Sequence, residues 1–475
     1  MGGIFGITRK HDCVHDLFYG TDYLSHLGTK RGGLAVAGSD TFTSRVHLLE
    51  SSYFRTKLEP DLKDLKGNIG LGAISDTDSQ PLTFYSHLGS FSLVTVGRIT
   101  NIDELAAEAG KYRYTFNRSS AGKVRPTEII AMLLSRENSF EDGIRAVHAR
   151  VKGSCSFIIM TEKGLYGCRD LLGRTPLTLG CKPGASSSDP EGWVLSSESS
   201  AFYNVGFETV RDLGPGEAIF VTPDGWETRI APGNKMQICS FLWVYYGYPS
   251  ACYEGVNVED SRYRCGAALA AEDNVEVDFV GGIPDSGIGH AVGYANYRRL
   301  PYGRPLVKYT PTWPRSFMPQ NQESRDLVAK MKLIPNRALI QDKRIAFLDD
   351  SIVRGTQLKD NVKVLYQQGA KEVHIRIACP TLVYPCPFLN FSPARSALEL
   401  MGLKAIFALE GKEGKDIERY VNSADPKNAE MVEWIRGQFQ LSSLKFQRLD
   451  NLVKAIGLPK QQLCTHCWDG SSFGN

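Results

Sequence analysis

The sequence predicts an α/β protein of two domains, the first of layered antiparallel sheets and helices and the second built on a parallel sheet. Three observations carry this. The first half alternates short apolar segments with turn residues, as in SRVHLLE, FSLVTVGRI, CSFIIMTEKGLYGCRD and EAIFVTPDG, the pattern of antiparallel strands. Helical stretches, DELAAEAGKY and PTEIIAMLLSR, interrupt those strands, which favours sheets covered by helices over a bare sandwich. From about residue 258 the order becomes strand, loop, helix, strand through VDFVGGIPDSGIGHAVGYA, KRIAFLDDSIVRGTQLKDNVKVLYQQG and KEVHIRIACP, the order of a parallel sheet. A boundary near residue 235, after APGNK, gives expected domains 1–235 and 236–475. PGASSSDPEG reads as a loop, and no internal repeat is present.

With 475 residues, 42% of them hydrophobic, the chain can bury two ordinary cores. Lys and Arg number 55 against 52 Asp and Glu, a formal net charge of +3, so no strong field points to nucleic acid or an anionic membrane. No stretch approaches the roughly 20 apolar residues that span a bilayer, and the start lacks a basic segment followed by a long apolar one. MGGIFG has Gly6 where N-myristoylation needs Ser or Thr. A cytoplasmic protein with small-molecule partners, no nucleic acid and no membrane is expected. The eleven cysteines are scattered, which argues against a disulfide framework. Cys464 and Cys467 alone are closely spaced, and CTHC by itself fits a redox pair, half of a metal site or chance.

The most informative stretch is RIAFLDDSIVRGTQLKDNVKVLYQQG. An apolar strand ends in Asp349 and Asp350, a loop of small residues follows, and Leu358, Val362 and Leu365 then recur at helical spacing up to Gly369. Such a loop aims backbone N–H groups and a helix N-terminus at one point, which suits a phosphate monoester, and Ser351, Arg354 and Thr356 add donors. The two carboxylates repel a phosphate. They therefore face ribose hydroxyls, a Mg2+ ion or the positive charge of an oxocarbenium-like transition state.

FLDDSIVRGT resembles the phosphoribosyl-diphosphate motif of type I phosphoribosyltransferases, and in its long form that of the amidophosphoribosyltransferase family. The likeness continues through GGIPDSGIGHAVGYA, RSFMPQNQ, AKMKL and KEVHIRIACPTLVYPCPF. It implies that Pro284, Asp285, Ser286 and Gly287 form the pyrophosphate loop, and that Ser351, Ile352, Val353, Arg354, Gly355 and Thr356 hold the 5-phosphate. It further implies that Asp349 and Asp350 hold ribose and Mg2+, with Lys308, Arg315 and Lys332 meeting the diphosphate. Some family members carry a 4Fe–4S cluster, and the matching positions here are Cys239, Cys386, Cys464 and Cys467. Zinc is the other reading of four cysteines. Cys13, Cys155, Cys168, Cys181, Cys252, Cys265 and Cys379 read as buried or incidental.

The first half resembles the class II glutamine amidotransferase domain, an N-terminal-nucleophile (Ntn) hydrolase, through GIFGITRKHD, YGTDYLSHLGTKRGG, TNIDEL, RDLLGRTPL, SSESSAF and DLGPGEAIF. That family places a cysteine nucleophile second, and here Gly2 stands there with no side chain. Ala73 replaces the arginine that clamps the glutamine carboxylate. Val96 replaces the asparagine of the oxyanion hole, whose loss is typically worth about 3 kcal/mol, while Gly97 survives. Pro126 replaces the aspartate that receives the glutamine amino group. KYTPTWPRSF, with Trp313, departs from the mobile-loop pattern.

The implied activity is formation of 5-phosphoribosylamine, the entry to purine synthesis, from 5-phosphoribosyl 1-diphosphate with ammonia as donor, or glutamine where the lineage keeps the cysteine. Inhibitory purine nucleotides and a homo-oligomer accompany that expectation. A catalytically silent nucleotide-binding partner subunit and transfer to another nucleophile are the alternatives. The intact aspartate pair and PDSG loop favour turnover, whereas the altered KYTPTWPRSF loop favours binding alone.

Overall fold

The computed structural model describes residues 2–38, 42–50, 52–111, 116, 124–184, 189–309, 333–389, 399–411 and 416–471. The strands of the first half are β1 (Gly2–Arg9), β2 (Arg31–Ala37), β3 (Phe42–Leu48), β4 (Ile69–Ser75), β5 (Leu82–Ser86), β6 (Gly89–Ile99), β7 (Gly153–Met160), β8 (Leu165–Cys168), β9 (Thr178–Lys182), β10 (Gly192–Ser196), β11 (Glu208–Asp212), β12 (Ala218–Thr222) and β13 (Gly225–Ile230). They form two sheets, ordered β11-β9-β10-β1-β4-β2-β3 and β13-β12-β8-β7-β6-β5. Pairing is antiparallel throughout, as the alternation predicts.

The sheets face one another across Ile4, Leu71, Ala73, Val94, Val96, Ile158 and Leu195. Helix α1 (Val14–Asp22) covers the outer face of the first sheet, packing Leu17 and Phe18 against Phe5, Ile7 and Ile74. Helices α2 (Ile102–Lys111), α3 (Pro126–Leu134) and α4 (Phe140–Arg150) cover the second, with Ile129, Leu133, Ile144 and Val147 against Phe91, Leu93 and Phe157. Buried on both faces, β4 loses the apolar-polar alternation of a half-exposed strand, and all seven of its residues are buried.

The second half starts with β14 (Ile238–Cys239), a π-helical turn over Leu242–Tyr246 and α5 (Val258–Ala271). Then come β15 (Phe279–Gly282), α6 (Gly287–Arg298), β16 (Tyr302–Gly303), β17 (Arg344–Asp349), α7 (Thr356–Gln367), β18 (Glu372–Ile377), α8 (Pro426–Phe439) and β19 (Ser443–Phe446). The sheet order is β16-β15-β17-β18-β19, and every pair is parallel. Leu358, Val362 and Leu365 are the buried residues of α7, as their spacing predicts. The chain closes with β20 (Leu463–Cys464), which pairs in parallel with β14, and α9 (His466–Asp469).

Inside this core Arg376 of β18 forms an ion pair with Asp273 through Nε and, at 3.2 Å, through Nη2, and both side chains are 1% exposed. The Tyr294 hydroxyl also donates to Asp273 at 2.7 Å, and Lys445 lies 3.3 Å away. Among the described residues no helix is long and apolar enough to cross a membrane.

Candidate functional site

Adjacent parallel strands put their following loops side by side at the carboxyl edge of a sheet, where α/β proteins bind ligands. β15 and β17 are such neighbours, with Gly282 opposite Leu348, so the segments 283–286 and 349–355 meet there. The meeting is specific. Ser286 Oγ donates to Asp350 Oδ2, Ser351 Oγ donates to Asp350 Oδ1 at 2.6 Å, and the Asp350 amide donates to Asp349 Oδ1 at 2.9 Å. The Pro284–Asp285 peptide bond is cis.

Gly287 opens α6 against the edge of β17, and a Cβ there would fall 2.3 Å from the Leu348 carbonyl oxygen. Overpacking of this kind costs about 1–3 kcal/mol. Gly287→Ala is therefore expected to lower the thermal midpoint, measurable on the whole chain by scanning calorimetry.

Burial pushes both aspartates up. For Asp349 the charge of Asp350 adds to that push and the carboxyl lies well above its usual range, whereas hydrogen bonds from Ser286 and Ser351 and the charge of Arg262 hold Asp350 back in part. A buried carboxyl beside a half-buried one suits a hard cation with oxygen ligands. Arg262 had no signal in the sequence. It is 3% exposed and collects the carbonyls of Trp243 at 2.9 Å, Tyr245 at 3.2 Å and Gly247 at 2.9 Å, bracing the π-helical turn.

The other residues expected here divide into four groups. Ile352 is buried and Val353 packs on the core, so their side chains anchor the loop. Gly355, at φ +77, turns the chain into α7, whose first residue is Thr356, and Arg354 pairs with Glu399 at 2.5 Å. Lys308 pairs with Asp285. Arg315 and Lys332, with Trp313 and the rest of 310–332, lie outside the described residues.

In the first half, Gly2, Val96, Gly97 and Pro126 line one small cavity together with Ser75, Thr77, Thr95, Ile99 and Cys155. Ala73 is 1% exposed in the core between the sheets, two residues along β4 from Ser75. Gly2 is paired with Ser75 in the β1–β4 ladder, and a Cβ built on it would fall 2.5 Å from the Ile74 carbonyl oxygen. Beside the cavity, the buried Asp78 carboxylate is already taken. Thr127 Oγ1 donates to it at 2.6 Å, Gln80 Nε2 at 3.0 Å and Thr77 Oγ1 at 3.0 Å. Cys155, read from sequence as incidental, faces the cavity with its thiol raised mainly by burial.

The four expected cluster cysteines come from three separate segments. β14 and β20 bring Cys239 opposite Cys464. Cys386 is held down at about 6, first by a hydrogen bond from the Cys467 thiol, against the opposing push of burial and with help from the Leu389 and Phe388 amides. Cys239 and Cys464 are pushed up by burial, while amides of Phe241 and His466 point at their sulfurs. Cys467 is pushed up by its hydrogen bond to Cys386 and by burial. Amide N–H groups converging on sulfur are the donors that thiolate-bound clusters use. None of these cysteines is in a disulfide. Among the described residues no three His, Cys, Asp or Glu side chains stand at the spacing of a metal centre.

Residues 69–204 match a family described as "Glutamine amidotransferase domain". Joined to a parallel-sheet domain with this edge site, that sandwich defines an enzyme of the amidotransferase type. Amidophosphoribosyltransferase from Methanothermobacter thermautotrophicus is 30% identical over 98% of this chain and 93% of its own length. The Mycobacterium tuberculosis enzyme of the same name is 31% identical over 98% of this chain and 85% of its own. Among solved structures, the allosteric regulatory enzyme of purine biosynthesis superposes with a TM-score of 0.83 at 27% identity, over 100% of this chain and 96% of that one. Glutamine phosphoribosylpyrophosphate amidotransferase from B. subtilis, complexed with ADP and GMP, gives 0.82 at 27%, over 100% and 97%. The chain belongs to the amidophosphoribosyltransferase family and is a pentosyltransferase of that type, serving purine biosynthesis.

Proposed function

We propose that this chain makes 5-phosphoribosylamine from 5-phosphoribosyl 1-diphosphate and free ammonia, with 236–475 as the transferase domain and 1–235 as a glutaminase-silent partner domain. The observation that carries the transferase half is the Ser286–Asp350–Ser351 junction between two neighbouring strand ends. In this reading Ser351, Arg354, Thr356 and the N-terminus of α7 bind the 5-phosphate, where backbone donors and the helix dipole favour an anion. The loop from Pro284 to Gly287 orients the diphosphate, and Lys308 exchanges Asp285 for it. Asp349 and Asp350 lie under the ribose and stabilise the positive charge that grows at C1 as its bond to the diphosphate oxygen breaks. Ammonia attacks the opposite face, the new C1–N bond forms with inversion, and one proton is lost to solvent. Mg2+, which the aspartate pair and the diphosphate would hold, supplies charge neutralisation for the leaving group.

Three features support silence in the first half. A side chain at position 2 meets the Ile74 carbonyl, Asp78 is consumed by its own neighbours, and Ala73, Val96 and Pro126 lack the groups that bind glutamine. Cys239, Cys386, Cys464 and Cys467 are proposed to hold a 4Fe–4S cluster that ties the chain end to the core. Purine nucleotides are proposed inhibitors, since a relative has been solved with ADP and GMP.

The test is anaerobic pyrophosphate release with Mg2+ and ammonium. Turnover that scales with free ammonia is expected. Tight, metal-dependent substrate binding with no pyrophosphate released under any donor would contradict the reading.

A further inference from the structure

We infer that Arg174, supplied by the first half, is the charge-compensating positioning residue of the four-cysteine centre in the second half; this rests on the proposed centre. Arg174 lies between β8 and β9 and is 1% exposed. Its guanidinium carbon sits 3.6 Å from the ring centroid of Phe388, two residues beyond Cys386. The same side chain hydrogen-bonds the Cys464 sulfur, and its Nη2 donates to Gln237 Oε1 at 3.3 Å, two residues before Cys239. The backbone closes the set, because the Cys239 amide donates to the Arg174 carbonyl at 3.3 Å. One residue thus touches all three segments that bring the cysteines together.

The chemistry explains why an arginine stands there. Four thiolates around a 4Fe–4S core leave net negative charge in a buried place, and buried charge needs a partner. A guanidinium stays protonated, stacks on an aromatic face and spreads its donors over several acceptors. Arg98 of β6, two residues past Val96, adds a second cation by donating from Nη1 to the Cys386 carbonyl at 3.2 Å. Arg174 Nη1 in turn donates to the Gly153 carbonyl at the start of β7, at 3.2 Å. β6 and β7 are the strands whose Val96, Gly97 and Cys155 line the Gly2 cavity. The half with the silent glutamine site therefore retains a task, as the cationic wall of the centre.

The experiment compares the full chain with Arg174→Gln and Arg174→Lys after anaerobic reconstitution with iron and sulfide. It reads iron and sulfide per chain, the electron paramagnetic resonance signal of the reduced form, the midpoint potential and the lifetime in air. Arg174→Gln is expected to shift the midpoint to more negative potential and shorten the air lifetime severalfold. Arg174→Lys keeps the charge but loses the stack, so it is expected to hold the potential with an intermediate lifetime. Arg174→Gln with the parent's potential and lifetime overturns the assignment while leaving the centre standing. A parent chain that takes up zinc and not iron overturns the cluster reading alone, and Arg174 is then judged by chelator competition, with weaker zinc retention expected in Arg174→Gln. A parent that takes up neither metal overturns both. Where circular dichroism finds Arg174→Gln unfolded, Arg174→Lys decides, and a lifetime equal to the parent's counts against the proposal.

Discussion

Asp350→Asn is expected to lower ammonium-dependent turnover by about a hundredfold or more, the scale on which removing one transition-state electrostatic contact acts. Asparagine keeps the shape and an acceptor oxygen. Ser351 Oγ, at 2.6 Å, and Ser286 Oγ can each turn to suit the new group, so the loop stays in place while the charge is lost. Positive charge develops at C1 only as the diphosphate leaves, so the loss should fall on kcat more than on KM. Asp349→Asn is expected to act in the same direction, since the two carboxyls adjoin and the Asp350 amide donates to Asp349 Oδ1 at 2.9 Å. Steady-state pyrophosphate release over a range of substrate checks both. Unchanged kcat in either variant would remove the aspartates from the chemistry.

The largest stability effect is expected from Arg376→Met. Breaking a buried ion pair on one side costs about 3–5 kcal/mol, and here it leaves Asp273 with only the Tyr294 hydroxyl and the half-exposed Lys445, which places the loss toward the lower end. Both Asp273 and Arg376 are 1% exposed at the side chain, so water cannot replace the missing guanidinium. Adding Asp273→Leu to Arg376→Met should recover most of the loss, because an apolar pair of similar volume removes the stranded charge. The pH dependence has a definite sign. Burial alone would raise Asp273, but the hydrogen bond and charge of Arg376, with Tyr294 and Lys445, outweigh it and hold the carboxyl well below its ordinary 3.8. A depressed carboxyl contributes its stability fully above the unfolded value and loses it as pH falls through the folded one. The margin of the parent over Arg376→Met should therefore shrink as pH falls through the acid range and the Asp273 carboxyl of both chains becomes protonated, read from thermal midpoints across an acid series.

Much of this architecture is legible in the sequence for reasons of period and spacing. Alternating segments such as FSLVTVGRI became antiparallel strands, the DDSIVRGT segment became a strand-end loop before a helix, and the PDSG loop came to rest beside it. β4 gives less away, because a strand covered on both faces carries no alternation to read. The partners hidden from the sequence are those that only folding brings near. Arg262 reads as one more charge on a helix until its helix lies against the π-helical turn. Arg174 is part of RDLLGRTPL, a segment recognisable by resemblance, but nothing in it foretells contact with Phe388 and Cys464. The close approach of Ile74 to Gly2 depends on strand register, which one sequence does not display.

That register bears on the proposed pairing of a working transferase with a closed glutamine site. Gly2→Cys would restore the family's thiol at position 2. The backbone opposes it, since a Cβ at position 2 would stand 2.5 Å from the Ile74 carbonyl oxygen, and in the proposed reading Ala73, Val96 and Pro126 lack the groups that hold glutamine. The deciding measurement is anaerobic pyrophosphate release by the parent and by Gly2→Cys with ammonium or glutamine as sole nitrogen donor. Turnover of both chains with ammonium and of neither with glutamine is the predicted result. Glutamine-dependent turnover by either chain would contradict the closed site.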